Sequence, residues 1–312
     1  MTAAWLPWQN VPLLPPLPLA HPLTPAVLAE WLDGGQAFRW HRRPDESFEG
    51  GWAGHHVRVR LANCAPGGLE FTLPALVNES AREAGTAALR LYLAGPEADE
   101  DALPWRSDTH LAACMAACPG LRILRQPFGE TLLGFVCSAT KQIVQIKQMM
   151  ALLASRHGVV LTPGTSVSPA WHALPTWTEL AAVPEPELRA CSLGFRARHV
   201  AGIAAFLAQN PGWLEATEHA AYPEAKARLL VLPGVGEKIA DCVLLFGAGR
   251  LEAFPVDTWI IKAMTRRYGL DGWSPPQIAH FGRTHFGSQA GLAQQYLFAY
   301  ERAQRHAAIR SA

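Results

Sequence analysis

Apolar positions change their period near residue 78. Before it, SFEGGWAGHHVRVRLANC and GGLEFTLP are short alternating or β-rich runs split by glycines. Val57, Val59 and Leu61 alternate with Arg58 and Arg60, the period of a half-solvated strand. These runs predict an antiparallel sheet with hairpins ending near residue 74, after a short helix over residues 26–33 that stops at Gly34-Gly35. Residues 1–24 are rich in Pro and Leu and predict an extended segment wrapped on a surface. Beyond about residue 78 the whole chain reads as helical. SAREAGTAALRLYLA is amphipathic, THLAACMAAC is short, and Pro127 opens a long apolar segment. The polar gap Ser138-Ala139-Thr140-Lys141-Gln142 makes that segment two helices or one interrupted helix. Further helices are predicted over 177–182, 186–192, 198–209, 223–230, 237–246, 257–268 and 290–304. The architecture is α+β, with an N-terminal antiparallel-sheet domain and flanking helices over 1–120, then a helical domain over 121–312 with a cleft between lobes.

Composition narrows the class. The 312 residues are 49% hydrophobic and 17% charged, which excludes disorder as the overall state. No apolar run approaches the roughly 20 residues of a membrane span. The N-terminus lacks a basic region and its prolines break any apolar helix, so neither signal peptide nor anchor is expected and an intracellular chain is. Of the cysteines Cys64, Cys114, Cys118, Cys137, Cys191 and Cys242, only Cys114 and Cys118 lie close together, short of a zinc ribbon or iron–sulfur loop. They are expected to be reduced and mostly buried. The net charge of +1 hides an asymmetry: residues 1–120 carry 8 basic and 13 acidic side chains, and residues 121–312 carry 19 and 13. A polyanion would prefer the second part; the run Glu97, Asp99, Glu100, Asp101 as a solvated loop also tilts the count.

The window from Ala225 to Tyr268 carries the chemistry. Leu232-Pro233-Gly234-Val235-Gly236 lies between two helices, and Gly-x-Gly there permits a tight hairpin with positive φ and bare N–H groups. The second helix starts at the hairpin, so its N-terminus offers a phosphate seat that reads no bases. Lys238 sits in the first turn of that helix, where the dipole disfavours an ammonium and favours the nucleophilic amine. Asp257 lies 19 residues on, at the N-cap of the next helix. A carboxylate there could take the lysine's proton or stabilise a developing oxocarbenium ion. The plain alternatives are a solvated lysine and an ordinary cap.

LPGVGEKIADC followed by AFPVDTW resembles the helix–hairpin–helix and Gly/Pro-Asp motif of the DNA glycosylase superfamily. Segments 35–40, 121–128, 193–198 and 290–298 resemble, in the family's order, those of 8-oxoguanine DNA glycosylases. The resemblance runs from about residue 26 to the end. It implies a sheet like that of the TATA-binding protein, a helix–hairpin–helix catalytic domain and no required cofactor or metal. It implies that Lys238 attacks C1′ of a flipped nucleotide, that a Schiff base allows β-elimination, and that Asp257 assists. Cys242, one turn after Lys238, and Phe298, one turn after Gln294, would sandwich the base, with Gln294 on its Watson–Crick edge. Gly35 would accept the N7–H that distinguishes 8-oxoguanine from guanine, though Gly34 could shift that register. Phe195 and Arg196 match a wedge pair, with Arg198 beside them. Gly234, Val235, Gly236, Thr140, Lys141 and Gln142 complete the DNA-facing set. The expected partner is duplex DNA containing oxidised guanine, bound by a monomer in the cytoplasm at the nucleoid, or in a nucleus.

Two departures stand out. Ala139-Thr140-Lys141-Gln142 replaces the asparagine run of animal members, which puts a strict preference for cytosine opposite the lesion in doubt. Trp259 stands where those members have histidine, as in bacterial-type branches. The rivals are a glycosylase of the same superfamily for another damaged base and a non-catalytic helix–hairpin–helix DNA-binding module.

Overall fold

The computed structural model describes residues 5–11, 23–62, 68–75, 77–96, 98–165 and 169–310, with side chains described to residue 304. Cys64, Glu97 and most of the Pro- and Leu-rich segment lie outside the described residues. The first part is a five-stranded antiparallel sheet in the order β1 (Gln9–Asn10), β5 (Leu69–Thr72), β4 (His55–Leu61), β3 (Phe48–Trp52), β2 (Trp40–Arg42). Helix α1 (Pro25–Asp33) enters between β1 and β2, and α2 (Glu79–Ala94) follows β5. Ala53 and Gly54, both at positive φ, close the β3–β4 hairpin and fix its register of Trp52 against His55. The predicted alternation holds: Val57 and Val59 are buried while Arg58 and Arg60 are half-exposed. Tyr92 of α2 packs its ring 4.4 Å from Trp52 and accepts the Trp40 indole N–H at 3.1 Å, which seats α2 on the sheet.

Helices follow: α3 (Thr109–Ala117), α4 (Phe128–Ser138) and α5 (Ile143–His157). The polar gap therefore separates two helices. A small hairpin, β6 (Val160–Thr162) with β7 (Trp171–His172), corrects the expectation of a wholly helical remainder. Then come α6 (Trp177–Ala181), α7 (Glu185–Leu188) with a wide turn over Arg189–Leu193, α8 (Arg196–Gln209), α9 (Trp213–His219) and α10 (Tyr222–Leu230). The chain ends with α11 (Glu237–Phe246), α12 (Thr258–Tyr268), α13 (Pro275–Phe286) and α14 (Ala290–Arg310). Helices α9 and α13 were not anticipated.

Helices α4 and α11 form the centre of the helical part. Phe135 and Phe246 stack 5.5 Å apart between them, and Leu132, Val243, Leu244 and Leu245 are fully buried there. Each such side chain contributes about 1.5–3 kcal/mol of transfer energy. Helix α14 joins the two parts. It packs on α3, and its Arg302 reaches Glu30 and Gly34 of the α1 end. Asp108, the cap of α3, takes Tyr268 and His285 at 2.9 Å each. Among the described residues no helix is long and apolar enough to cross a membrane.

Candidate active site and nucleic-acid interface

The hairpin between α10 and α11 uses its two glycines differently. Gly234 lies at φ +79°, and a Cβ there would stand 2.5 Å from the His199 ring. Gly236 is extended, with open space where a Cβ would go. The expected positive φ therefore belongs to Gly234 alone. Gly236 is the N-cap of α11 and brings no capping side chain, so the helix presents its first N–H groups at an exposed edge. Val235 is buried and anchors the turn.

A buried ion pair holds α11 beneath the hairpin. Lys226 of α10 contacts Glu237 at 2.7 Å and Asp241 at 2.9 Å, and the Tyr222 hydroxyl donates to Asp241 at 2.8 Å. Asp241 is only 2% exposed, and burial raises its carboxyl above the usual carboxylate range against the pull of Lys226. Sequence reading missed this group. The i, i+4 spacing of Tyr222 with Lys226 and of Glu237 with Asp241 was visible, but their meeting across the hairpin was not.

Lys238, half-buried in the first turn of α11, holds its Nζ 5.0 Å from the centre of the Phe135 ring. It lies within hydrogen-bonding reach of Cys242, one turn on. Burial pushes the Cys242 thiol up to about 11, and the Lys238 charge opposes that rise. Asp257 caps α12: its Oδ1 accepts the N–H groups of Trp259 and Ile260 at 2.9 Å each. Burial raises the Asp257 carboxyl above its ordinary value, opposed by the Ile260 N–H, the Lys238 charge and the Trp259 N–H. The Lys238 amine acts electrostatically on both the Cys242 thiol and the half-buried Asp257 carboxyl, next to the uncapped start of α11.

Gly35 and Phe298 form a second group. Gly34, not Gly35, is the C-cap of α1. Gly35 follows at φ +105°, and a Cβ there would sit 3.0 Å from Ile143 Cδ1 and 3.8 Å from Phe298 Cε1. Gln294 is buried one turn before Phe298, and its Oε1 accepts from Gln295 at 2.9 Å. The start of α14 meets the segment after α11 through the Gly291 N–H, which donates to the Leu251 carbonyl at 2.7 Å, and meets α11 itself through Leu245, against which Gly291 lies.

Two loops face outward beside these groups. Thr140 is exposed at φ +55°, Lys141 is exposed, and Gln142 caps α5 through a reciprocal pairing with Gln145. Phe195 is 47% exposed at the tip of the turn before α8, and Arg198 is exposed one residue beyond Ala197. Arg196 behaves differently from the expected base-contacting residue. It is 2% exposed and donates to the Ala139 carbonyl at 3.0 Å, the Leu193 carbonyl at 3.2 Å and Thr140 Oγ1 at 2.9 Å. Carbonyls at these helix ends need donors, and the guanidinium supplies them. Its Cζ also supports the Phe195 ring from 4.3 Å. Among the described residues, Cys114, Cys137, Cys191 and Cys242 are buried and free, and Cys118 is free and half-buried.

The hairpin, its lysine and the capped aspartate are the framework of a helix–hairpin–helix DNA glycosylase. A family model described as "8-oxoguanine DNA glycosylase, N-terminal domain" matches residues 19–132. The N-glycosylase/DNA lyase OGG1 of Arabidopsis thaliana is 30% identical over 302 residues, covering 92% of this chain and 80% of its own. The N-glycosylase/DNA lyase of Saccharomyces cerevisiae is 32% identical over 162 residues, 48% of this chain and 43% of its own. The Clostridium acetobutylicum 8-oxoguanine glycosylase/lyase, solved with double-stranded DNA containing cytosine opposite 8-oxoG, superposes with a TM-score of 0.77 at 29% identity, covering 89% of this chain and 92% of that one. This chain belongs to the 8-oxoguanine DNA glycosylase/lyase family.

Proposed function

We propose that this chain excises 8-oxoguanine from duplex DNA and then cuts the abasic strand, as a bifunctional glycosylase and AP lyase of base excision repair. The observation that carries the reading is that the Lys238 charge acts on the Asp257 carboxyl beside a hairpin from which α11 starts with no capping side chain on its first N–H groups. The damaged nucleotide leaves the stack to reach them. The Lys238 amine forms a bond to C1′ as the glycosidic bond breaks and its electron pair leaves with the base, which takes up a proton. The Asp257 carboxylate stabilises the positive charge developing at the sugar. The amine then carries the opened sugar as a Schiff base. Loss of a C2′ proton expels the 3′ phosphate and breaks the strand.

The base is held between Cys242 and Phe298, with Gln294 at its Watson–Crick edge and the Gly35 carbonyl accepting N7–H. Guanine carries a lone pair at N7 and is repelled there. The Gly234–Gly236 hairpin and Arg198 take backbone phosphates, and Phe195 enters the stack. Thr140, Lys141 and Gln142 face the opposite strand without an asparagine run, which supports a relaxed preference for the opposing base. Residues 1–120 and 121–312 are the two domains of this design, with α1 and α3 of the first seated on α14 of the second. The enzyme acts as a monomer on duplex DNA containing oxidised guanine, in the cytoplasm at the nucleoid or in a nucleus. An excision panel with 8-oxoguanine opposite each of the four bases tests the reading. Release opposite cytosine, and opposite at least one other base at a rate within about tenfold, is expected. No release from any duplex overturns it.

A further inference from the structure

The turn that carries Gly35 is fixed on three sides. Arg302 of α14 donates to the Gly34 carbonyl at 2.9 Å and to Glu30 Oε2 at 2.6 Å. Lys147 of α5 holds Asp33, the last residue of α1, at 2.7 Å. Gln126 donates its side-chain amide to the Gln36 carbonyl at 2.7 Å, while the Gln36 amide spans Arg122 and Leu124 at 2.7 and 2.9 Å. The carbonyls before and after Gly35 are therefore occupied. Among the described residues, nothing donates to the Gly35 carbonyl itself.

Arg302 also lies on the helix face that carries Gln294 and Phe298, at successive i+4 steps, with its Cζ 5.9 Å from the Phe298 ring centre. One guanidinium thus sets the distance between the turn and the helix on either side of the pocket. The side chain of its partner Glu30 is only 13% exposed, and the buried Glu30 Oε1 has no hydrogen-bond partner among the described residues, so that carboxylate depends on the Arg302 contact at Oε2.

We infer that Arg302 is a specificity-determining positioning residue: by occupying Gly34 O and Glu30 Oε2 it leaves Gly35 O as the free carbonyl between two occupied ones and holds it toward the base. The inference rests on the reading that Gly35 senses N7–H. A carbonyl allowed to drift by an ångström would lose a directional hydrogen bond while the stacking and edge contacts remained.

The test measures affinity for two duplexes in the catalytically blocked Lys238→Gln background. One carries 8-oxoguanine and the other 8-methoxyguanine, each opposite cytosine. Both bases have oxygen at C8, but only the first has N7–H. Lys238→Gln alone is expected to bind 8-oxoguanine at least ~30-fold more tightly. Adding Arg302→Met is expected to cut that ratio ~10-fold by weakening the 8-oxoguanine duplex only, and Arg302→Lys to restore part of it. Glu30→Gln/Arg302→Met removes the stranded carboxylate and should show the same loss of ratio with a recovered melting temperature. Equal weakening toward both duplexes, or an unchanged ratio, overturns the inference while leaving the Gly35 reading standing. A ratio near one in Lys238→Gln alone removes the Gly35 reading, and the role of Arg302 with it.

Discussion

Lys238 and Asp257, 19 residues apart in the chain, act on one another across the gap between α11 and α12. The carboxyl is held from behind by the N–H groups of Trp259 and Ile260 on Oδ1, so its orientation is set by the start of a helix and not by the amine. On the proposed mechanism the cap is also the catalytic carboxylate, serving stability through its shape and catalysis through its charge, and the two can be separated.

Asp257→Asn keeps an oxygen for the cap and loses the charge, whereas Asp257→Ala loses both. Single-turnover excision should fall by about 100-fold or more in each. Chemical denaturation should show Asn within about 0.5 kcal/mol of wild type and Ala lower by about 1 kcal/mol.

Because burial raises the Asp257 carboxyl, the acid limb of the excision profile should lie above the ordinary aspartate range of about 4. The stability consequence has the opposite direction. The folded state binds this proton more tightly than the unfolded state, so the stability contribution of Asp257 falls as pH rises from 3.8 through the raised folded value. Melting curves of wild type and Asp257→Asn should therefore diverge in favour of wild type as pH is lowered through that window.

The hairpin glycines should respond differently to the same substitution. Gly234→Ala forces a Cβ against His199 at positive φ and should cost about 2 kcal/mol in thermal or chemical unfolding. Gly236→Ala meets no protein atom and should leave stability within about 0.5 kcal/mol while weakening duplex binding ~10-fold, because its Cβ enters the space a phosphate would take.

Lys226→Met strands the Asp241 carboxylate, which is 2% exposed. Unfolding free energy should drop by about 3 kcal/mol, and Lys226→Met/Asp241→Leu should recover most of it.

Much of this was legible in the chain. Glycines bounded α11, Asp257 marked a cap, the polar gap separated α4 from α5, and the Val57–Val59 alternation placed one face of the sheet. Strands β6 and β7 were not legible, because they span only three and two residues and Val160 of β6 is 56% exposed, like Val159 before it at 58%, leaving no period to read. Helix α13 did carry a start signal, Ser274 before Pro275 with Gln277 completing a capping box, and its polar flank masked it. Arg196 looked like a DNA contact because, with Phe195, it matches the family's wedge pair; its bond to the Ala139 carbonyl, 57 residues away, appears only in the folded chain. The free carbonyl of Gly35 was equally hidden, since it is defined by donors 268 and 90 residues from the carbonyls flanking it.

Borohydride reduction tests the nucleophile most directly. Wild-type protein mixed with 8-oxoguanine duplex and borohydride should yield a covalent protein–DNA species on a denaturing gel, and Lys238→Gln should yield none. Absence of the species from wild type, or an undiminished one from Lys238→Gln, would contradict the assignment of Lys238 as the attacking amine.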